Sequence, residues 1–409
     1  MAEETQEPAR HGGAHAVAAA RRHGVSTMFT LSGGHVFPLY DGAVKADPPM
    51  RLVDVRHEQT AVFAAEATAR LTRAPGLAVV TAGPGVTNAI SAVTTAWFNG
   101  SPVVIMGGRA PDYRWGAGGL QEIDHPPLLA PVTKRAWTEH QASAVGAAVD
   151  EAFRLATAPH RGPVFLDVAM EALFGDAGAE PPAAPSGAPQ AVAGPDPADV
   201  EAIAGLIARS SRPVLVLGSD VWLGGAETAA REAACDLRLP VVANGQGRGV
   251  LPAGHELLVT RARSAAFGEA DLVLVAGTPL DFRLGYGAFG GRDGHDPAQV
   301  IHVADSADHL ATHAPLAASA AGDLTAFFTA LAGAVPAAMR HAGGAAPRWT
   351  DSWLPRLATA ASRGSQLSVH RGAAAPACRI AAVAALASAV KNAVRSPAAE
   401  AASGAWVAR

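Results

Sequence analysis

Residues 53–88 read VDVRHEQTAVFAAEATARLTRAPGLAVVTAGPGVTN. A short apolar strand over 50–55 runs into Arg56-His57-Glu58, and an Ala-rich helical stretch over 60–72 follows. A second strand over 77–82 leads into Gly83-Pro84-Gly85 and then Thr87-Asn88. An acid beyond one strand and a glycine turn beyond the next put both at one edge of a parallel sheet, the edge where open α/β sheets bind ligands. Glycines let that turn approach a ligand closely, and the helix behind it offers free N–H groups.

The same alternation extends in both directions. Helices are expected over 15–23, 35–45, 87–99 and 142–157, and strands over 27–31, 102–106 and 163–168. Gly33 and Gly34 turn the chain out of the first strand, and Asn99-Gly100 closes a helix. Short loops between alternating elements mean βαβ units with right-handed crossovers. Residues 175–197, GDAGAEPPAAPSGAPQAVAGPDP, are Pro-, Ala- and Gly-rich and read as a linker. A second α/β unit follows. Its helix over 200–208 takes Asp199 as cap, strands fall over 214–217, 240–243, 272–276 and 300–303, and a helix over 324–331 closes it. The expected units are 1–174, the linker 175–197, 198–336, and an irregular Ala/Arg-rich tail over 337–409 whose one helical stretch is 379–394. The fold class is α/β, two doubly wound parallel sheets.

Composition narrows the function. Of 409 residues 49% are hydrophobic and 17% charged, enough for large cores and too apolar for a disordered chain. A net charge of −4 leaves no nucleic-acid footprint. Two cysteines, Cys235 and Cys378, give neither a disulfide framework nor zinc spacing and fit a reducing cytoplasm. The polar start MAEETQEPARHGG carries no apolar signal region, and no apolar run of membrane-spanning length occurs.

The block TAGPGVTN, with NGSPVVIMGGR after the next helix, resembles the pyrimidine-binding domain of thiamine-diphosphate enzymes of the acetolactate synthase-like group. The resemblance covers about residues 14–336. It implies that Glu58 is the catalytic acid, hydrogen-bonded to N1′ of the cofactor's aminopyrimidine, a task for which burial suits it. It implies cofactor contacts from Gly33, Gly34, Gly83, Pro84, Gly85 and Asn88, although a cap role for Asn88 and a plain turn for Gly33-Gly34 are the simpler readings. Gly119-Leu120-Gln121-Glu122 and Thr133-Lys134 resemble a family segment whose Gln faces the substrate, so Gln121 is the substrate-side candidate; Lys134 reads as structural or solvated. His57 reads as structural, turned away from Glu58 by strand alternation.

In the second unit the resemblance to acetolactate synthases weakens. The FAD-contacting G-M-x-G stretch is absent from residues 255–271, and Pro279-Leu280-Asp281-Phe282-Arg283 keeps only the last Arg of the family's second segment. This speaks against FAD and toward the 2-hydroxyacyl-CoA lyase branch. Arg261, Arg263 and Arg283 are candidate nucleotide-phosphate contacts, with surface charge the simpler reading. The family's third domain holds the diphosphate through Mg²⁺ with G-D-G and a later N-N. Neither Gly322-Asp323-Leu324 nor residues 291–294 has a downstream Asn pair, so no metal ligand is assigned. Only the pyrimidine half of a thiamine-diphosphate site is expected. Three readings stay open: a truncated or frameshifted enzyme, a half-enzyme completed by a separate diphosphate-binding chain, or a non-catalytic nucleotide-binding or interaction protein. The implied substrates are a 2-oxo acid or an acyl-CoA, and the implied assembly is a homo-oligomer or a pair with that separate chain.

Overall fold

A computed structural model describes residues 11–179, 192–341, 347 and 349–370. The first unit carries strands β1 (Thr27–Thr30), β2 (Arg51–Asp54), β3 (Gly76–Val80), β4 (Val103–Arg109), β5 (Ala136–Glu139) and β6 (Val164–Ala169). They form one parallel sheet in the order β2-β1-β3-β4-β6-β5. Its helices are α1 (Gly12–Arg22), α2 (Phe37–Lys45), α3 (Glu58–Thr72), α4 (Pro84–Phe98), α5 (Pro126–Leu129), α6 (Val145–Thr157) and α7 (Met170–Phe174).

Side-chain alternation along the strands feeds two cores. Leu77 and Val79 of β3, with Val104 and Met106 of β4, pack under α1, α2 and α6. Ala78 and Val80, with Val103 and Ile105, pack under α3 and α4. Both faces being covered, the central strand β3 is apolar along its whole length, as in parallel sheets generally. The chain runs outward from β1 to β2 and returns to β3 on the other side of β1. The topological switch point therefore lies between the carboxyl ends of β1 and β3.

The second unit is also doubly wound and parallel. Strands β7 (Pro213–Leu217), β8 (Val241–Ala243), β9 (Leu272–Ala276), β10 (Gln299–Ala304) and β11 (Ala318–Ala321) take the order β11-β10-β9-β7-β8. Around them lie α8 (Pro197–Arg209), α9 (Ser219–Leu223), α10 (Glu227–Asp236), α11 (Arg263–Glu269), α12 (Leu324–His341) and α13 (Trp353–His370). The switch point here falls between β7 and β9, where a Cβ on Gly218 would stand 2.1 Å from the Gly277 carbonyl oxygen.

Several expectations need correcting. The cap of α8 is Asp196, whose carboxylate accepts the Ala198 amide at 2.9 Å, so the helix starts at Pro197 inside the expected linker and Asp199 lies in its first turn. At the linker's other end Asp176 pairs with His11. The second unit does not stop at 336. Helix α12 continues through Pro336 to His341, and Trp349, Trp353 and Leu357 are buried in the second core, so the expected irregular tail contributes to it. The two indoles donate to the carbonyls of Arg238 (2.8 Å) and Pro213 (3.0 Å). The helical stretch expected over 379–394 lies outside the described residues.

Candidate active site

Glu58 is the first residue of α3, not the end of a strand, since β2 stops at Asp54. His57 is the helix cap. It is extended (φ −157°, ψ 139°), and its Nδ1 accepts the Gln59 amide at 3.2 Å. Its structural role thus comes from capping rather than from strand alternation. The helix N-terminus favours negative charge at Glu58, whose residue is only 8% exposed. Asn88 Nδ2 donates to Glu58 Oε2 at 3.0 Å. Asn88 lies inside α4, which begins at Pro84, and caps nothing. It is a tether between the first turns of two helices.

The glycine turn sits at the switch point. Gly83 has φ 59° and ψ −115°, a conformation open to glycine, and a Cβ there would stand 2.9 Å from Gln121 Cβ. Gln121 itself has φ 57°, which brings the loop after β4 over the turn. Gly33 is extended, so packing explains its smallness: a Cβ would stand 2.3 Å from Thr81 Cβ. Gly34 meets nothing within 4 Å. The next residue, His35, is buried and shares a 3.0 Å hydrogen bond between its Nδ1 and Thr81 Oγ1. Burial, aided by nearby His125 and opposed by the Leu120 carbonyl, holds the His35 imidazole below its ordinary pKa.

A buried relay supports the turn from behind. The Gly83 amide donates to His125 Nε2 at 2.9 Å, so the proton of the neutral ring belongs on Nδ1. That nitrogen donates to Asp167, 3.0 and 3.1 Å from its two oxygens. Asp167 also pairs with Arg109 at 3.3 Å, and the Arg109 guanidinium stacks 3.6 Å over Trp115. His125 and Asp167 are fully buried. Burial raises the Asp167 pKa, and His125 and then Arg109 pull it back in part.

Residues 10–128 match the N-terminal TPP-binding domain of thiamine pyrophosphate enzymes, and residues 200–331 match the central domain of the same enzymes. The chain belongs to the thiamine pyrophosphate enzyme family. It is 44% identical over 347 residues to a probable acetolactate synthase of Mycobacterium bovis, and equally to the acetolactate synthase large subunit IlvG of Mycobacterium tuberculosis. Each alignment covers 84% of this chain and 60% of the relative. It is 35% identical over 312 residues to 2-hydroxyacyl-CoA lyase 2 of Mus musculus, covering 68% of this chain and 49% of that protein. The chain thus spans about half to three-fifths of the length of these curated relatives.

For this thiamine pyrophosphate family member, the described residues fit the pyrimidine end of the cofactor. A buried, tethered carboxylate and a turn kept free of side chains stand at one sheet edge. A candidate metal-ligand group lies elsewhere among the described residues. The one His/Asp group among them able to gather a metal is His160, Asp220 and Asp305, and it lies on the other side of the first sheet. Among the nucleotide candidates, Arg283 is committed to Asp281 at 2.7 Å. Arg263 donates to the Arg283 carbonyl and lies over Phe267. It lines an open cleft of about 490 Å³ together with Arg292, and Arg261 does not. Lys134 donates to the Ala158 carbonyl at 2.8 Å, and burial pushes its pKa down to about 8.

Sequence reading missed His35, His125, Asp167 and Arg109. A lone Asp in the apolar run Val164–Ala169 was the available signal.

Proposed function

We propose that this chain supplies the pyrimidine-binding and central units of an acetolactate synthase-like enzyme. Such an enzyme decarboxylates a 2-oxo acid such as pyruvate and joins the acyl fragment to a second carbonyl compound. The observation that carries this reading is the Glu58 carboxylate, buried at the head of α3 and tethered by Asn88 beside the Gly83 turn. When bound, thiamine diphosphate supplies a carbon nucleophile and an electron sink. Glu58 holds and passes a proton at the aminopyrimidine. Asn88 fixes Glu58 Oε2, and no hydrogen bond among the described residues engages the other oxygen. Gly33, Gly34, Gly83, Pro84 and Gly85 keep backbone at the ring, while Gln121 orients substrate.

The diphosphate and its Mg²⁺ fall to another unit, carried by a separate diphosphate-binding chain. Phe37 and Leu120, exposed beside the site's turns, are surfaces for that partner. FAD has no role in this reading. Among the described residues no helix is long and apolar enough to cross a membrane, and two cysteines in the whole sequence fit a cytoplasmic setting. The likeness to 2-hydroxyacyl-CoA lyase 2 supports a second reading, cleavage of a 2-hydroxyacyl-CoA.

The test titrates thiamine diphosphate with Mg²⁺ onto the chain and onto Glu58→Gln. It then measures turnover of pyruvate and of a 2-hydroxyacyl-CoA after adding the diphosphate-binding domain of the mycobacterial synthase. Binding weakened by the substitution is expected, with pyruvate turnover slowed by about 10²–10⁴. Turnover of the thioester alone would select the second reading. Binding indifferent to the substitution would remove Glu58 from the site, and no binding would leave a non-catalytic role.

A further inference from the structure

The seam between the two units has a defined polarity. Helix α3 starts at the carboxyl edge of the first sheet, so its far end, with Arg70 and Arg73, lies at the amino edge. His160, in the loop entering β6, lies at the amino edge too. Their partners all stand at the carboxyl edge of the second sheet. Trp222 and Asp220 lie on α9 just after β7, Gln246 follows β8, and Asp305 follows β10. The edge where an open sheet binds ligands is here covered by the first unit.

Two carboxylates and an imidazole converge there. His160 Nδ1 is 3.0 Å from Asp305 Oδ1 and 3.8 Å from Asp220 Oδ2, and one ligand atom from each residue lies within 4.8 Å of the others. The Asp220 and Asp305 side chains are only 9% and 7% exposed. Among the described residues the Asp220 carboxylate accepts no hydrogen bond; its one ion pair is the 3.8 Å approach to His160. Asp305 Oδ2 also lacks a hydrogen bond, the Arg161 guanidinium standing 3.6 Å away. Two nearly buried carboxylates thus share one imidazole and one guanidinium at 3.6 Å, with no hydrogen-bond donor on Asp305 Oδ2. The exposed His309 ring lies with its centroid 3.9 Å from that of His160, tilted by 34°, so it covers the group on the solvent side.

We propose that His160, Asp220 and Asp305 form a divalent-cation site of the zinc type that fastens the two units together. Three protein ligands, one imidazole nitrogen and two carboxylate oxygens, with the fourth position left to water, are a zinc donor set. Ligand atoms about 2.0–2.2 Å from such an ion stand about 3.3–3.6 Å apart, so side-chain rotations suffice to close the group. Magnesium would demand six oxygens in near-octahedral array, which this group does not offer. The competing account is a metal-free ion-pair network with the His160 imidazolium, Arg161 and Lys134 as the cations. That account leaves Asp305 Oδ2 buried without a hydrogen bond.

The site lies across the first sheet from Glu58, so it stands or falls apart from the cofactor reading. The full chain is stripped with a chelator and titrated with zinc chloride by calorimetry, with native mass spectrometry to count bound ions and Mg²⁺ as a contrast. One zinc per chain is expected, unaffected by Mg²⁺, with a rise in Tm. Asp220→Asn keeps volume and breaks no hydrogen bond, so it should fold while weakening zinc at least about 10–100-fold, as should His160→Ala. Cobalt should give tetrahedral absorption bands in the wild type alone. No zinc bound, or the same zinc retained by folded Asp220→Asn and His160→Ala, would overturn the proposal; with 15 histidines in the chain, the second result would mean surface binding.

Discussion

Gly83 joins a positive φ, a crowded Cβ position and an amide committed to a buried ring. Gly83→Ala should cost about 1–3 kcal/mol for backbone strain and displace Gln121 as well. Urea denaturation checks the first effect, and loss of thiamine-diphosphate binding the second. His125→Ala removes the acceptor of the Gly83 amide and the donor to Asp167, and should destabilise by about 1–3 kcal/mol. Imidazole ¹⁵N shifts of the wild type should place the proton of the neutral ring on Nδ1. Glu58 and the glycine turn were legible because each is a local pattern, an acid beyond one strand and glycines beyond the next. The relay was not, since His125 lies 42 residues from each of its partners, Gly83 and Asp167, and only the sheet brings the three together. The Asn88 tether was hidden for the same reason: an Asn after a glycine turn reads as a cap until α3 arrives beside it.

At the scale of elements, strands buried on both faces announced themselves as apolar runs, β9 to the residue. Strand β5 (AWTE) is a half-buried edge, and β11 (ASAA) offers only small residues, so neither shows a period to read. The region after 336 is hard to read because it is Ala- and Arg-rich over its whole length, which dilutes Trp349 and Trp353. Trp353→Ala should cost about 3–5 kcal/mol and leave the Glu58 edge intact, as separate denaturation and ligand titrations would show. Strand β10 carries a titrating core residue. His302 is 1% exposed, its Nε2 donates to the Thr278 carbonyl and its Nδ1 accepts the Ala311 amide. Burial holds its pKa below the ordinary histidine value of about 6.5, despite the Thr278 bond. Between those two values the unfolded ring binds a proton and the folded one does not. The stability it contributes is therefore full above about pH 6.5 and falls as pH drops through the lowered value. Tm should decline across that window in the wild type and less steeply in His302→Gln.

The whole molecule turns on which edges its two sheets present. Open sheets gather function at their carboxyl edges. In the second unit that edge is closed by the first, while in the first unit it carries Glu58 and stays clear of the seam. Fastening and cofactor chemistry are thus separated by the length of α3. The fastening near its far end rests on few residues. Arg73 pairs with Glu227 at 2.6 Å and stacks 3.7 Å over Trp222, whose indole donates to the Arg70 carbonyl at 2.8 Å. Burial works against the Glu227 carboxylate, yet the Arg73 guanidinium outweighs it and holds the pKa below its ordinary value. Arg73→Ala should therefore cost about 1.5–3 kcal/mol, the range for hydrogen bonds to charged groups, and loosen the coupling of the two units. Calorimetry should resolve a broadened or divided unfolding transition in place of a single one. Thiamine-diphosphate affinity should stay at the wild-type value, because Arg73 lies a full helix away from Glu58. If Arg73→Ala weakened the cofactor as strongly as Glu58→Gln does, the two edges would be coupled through α3, and the separation argued from the sheet polarity would fail.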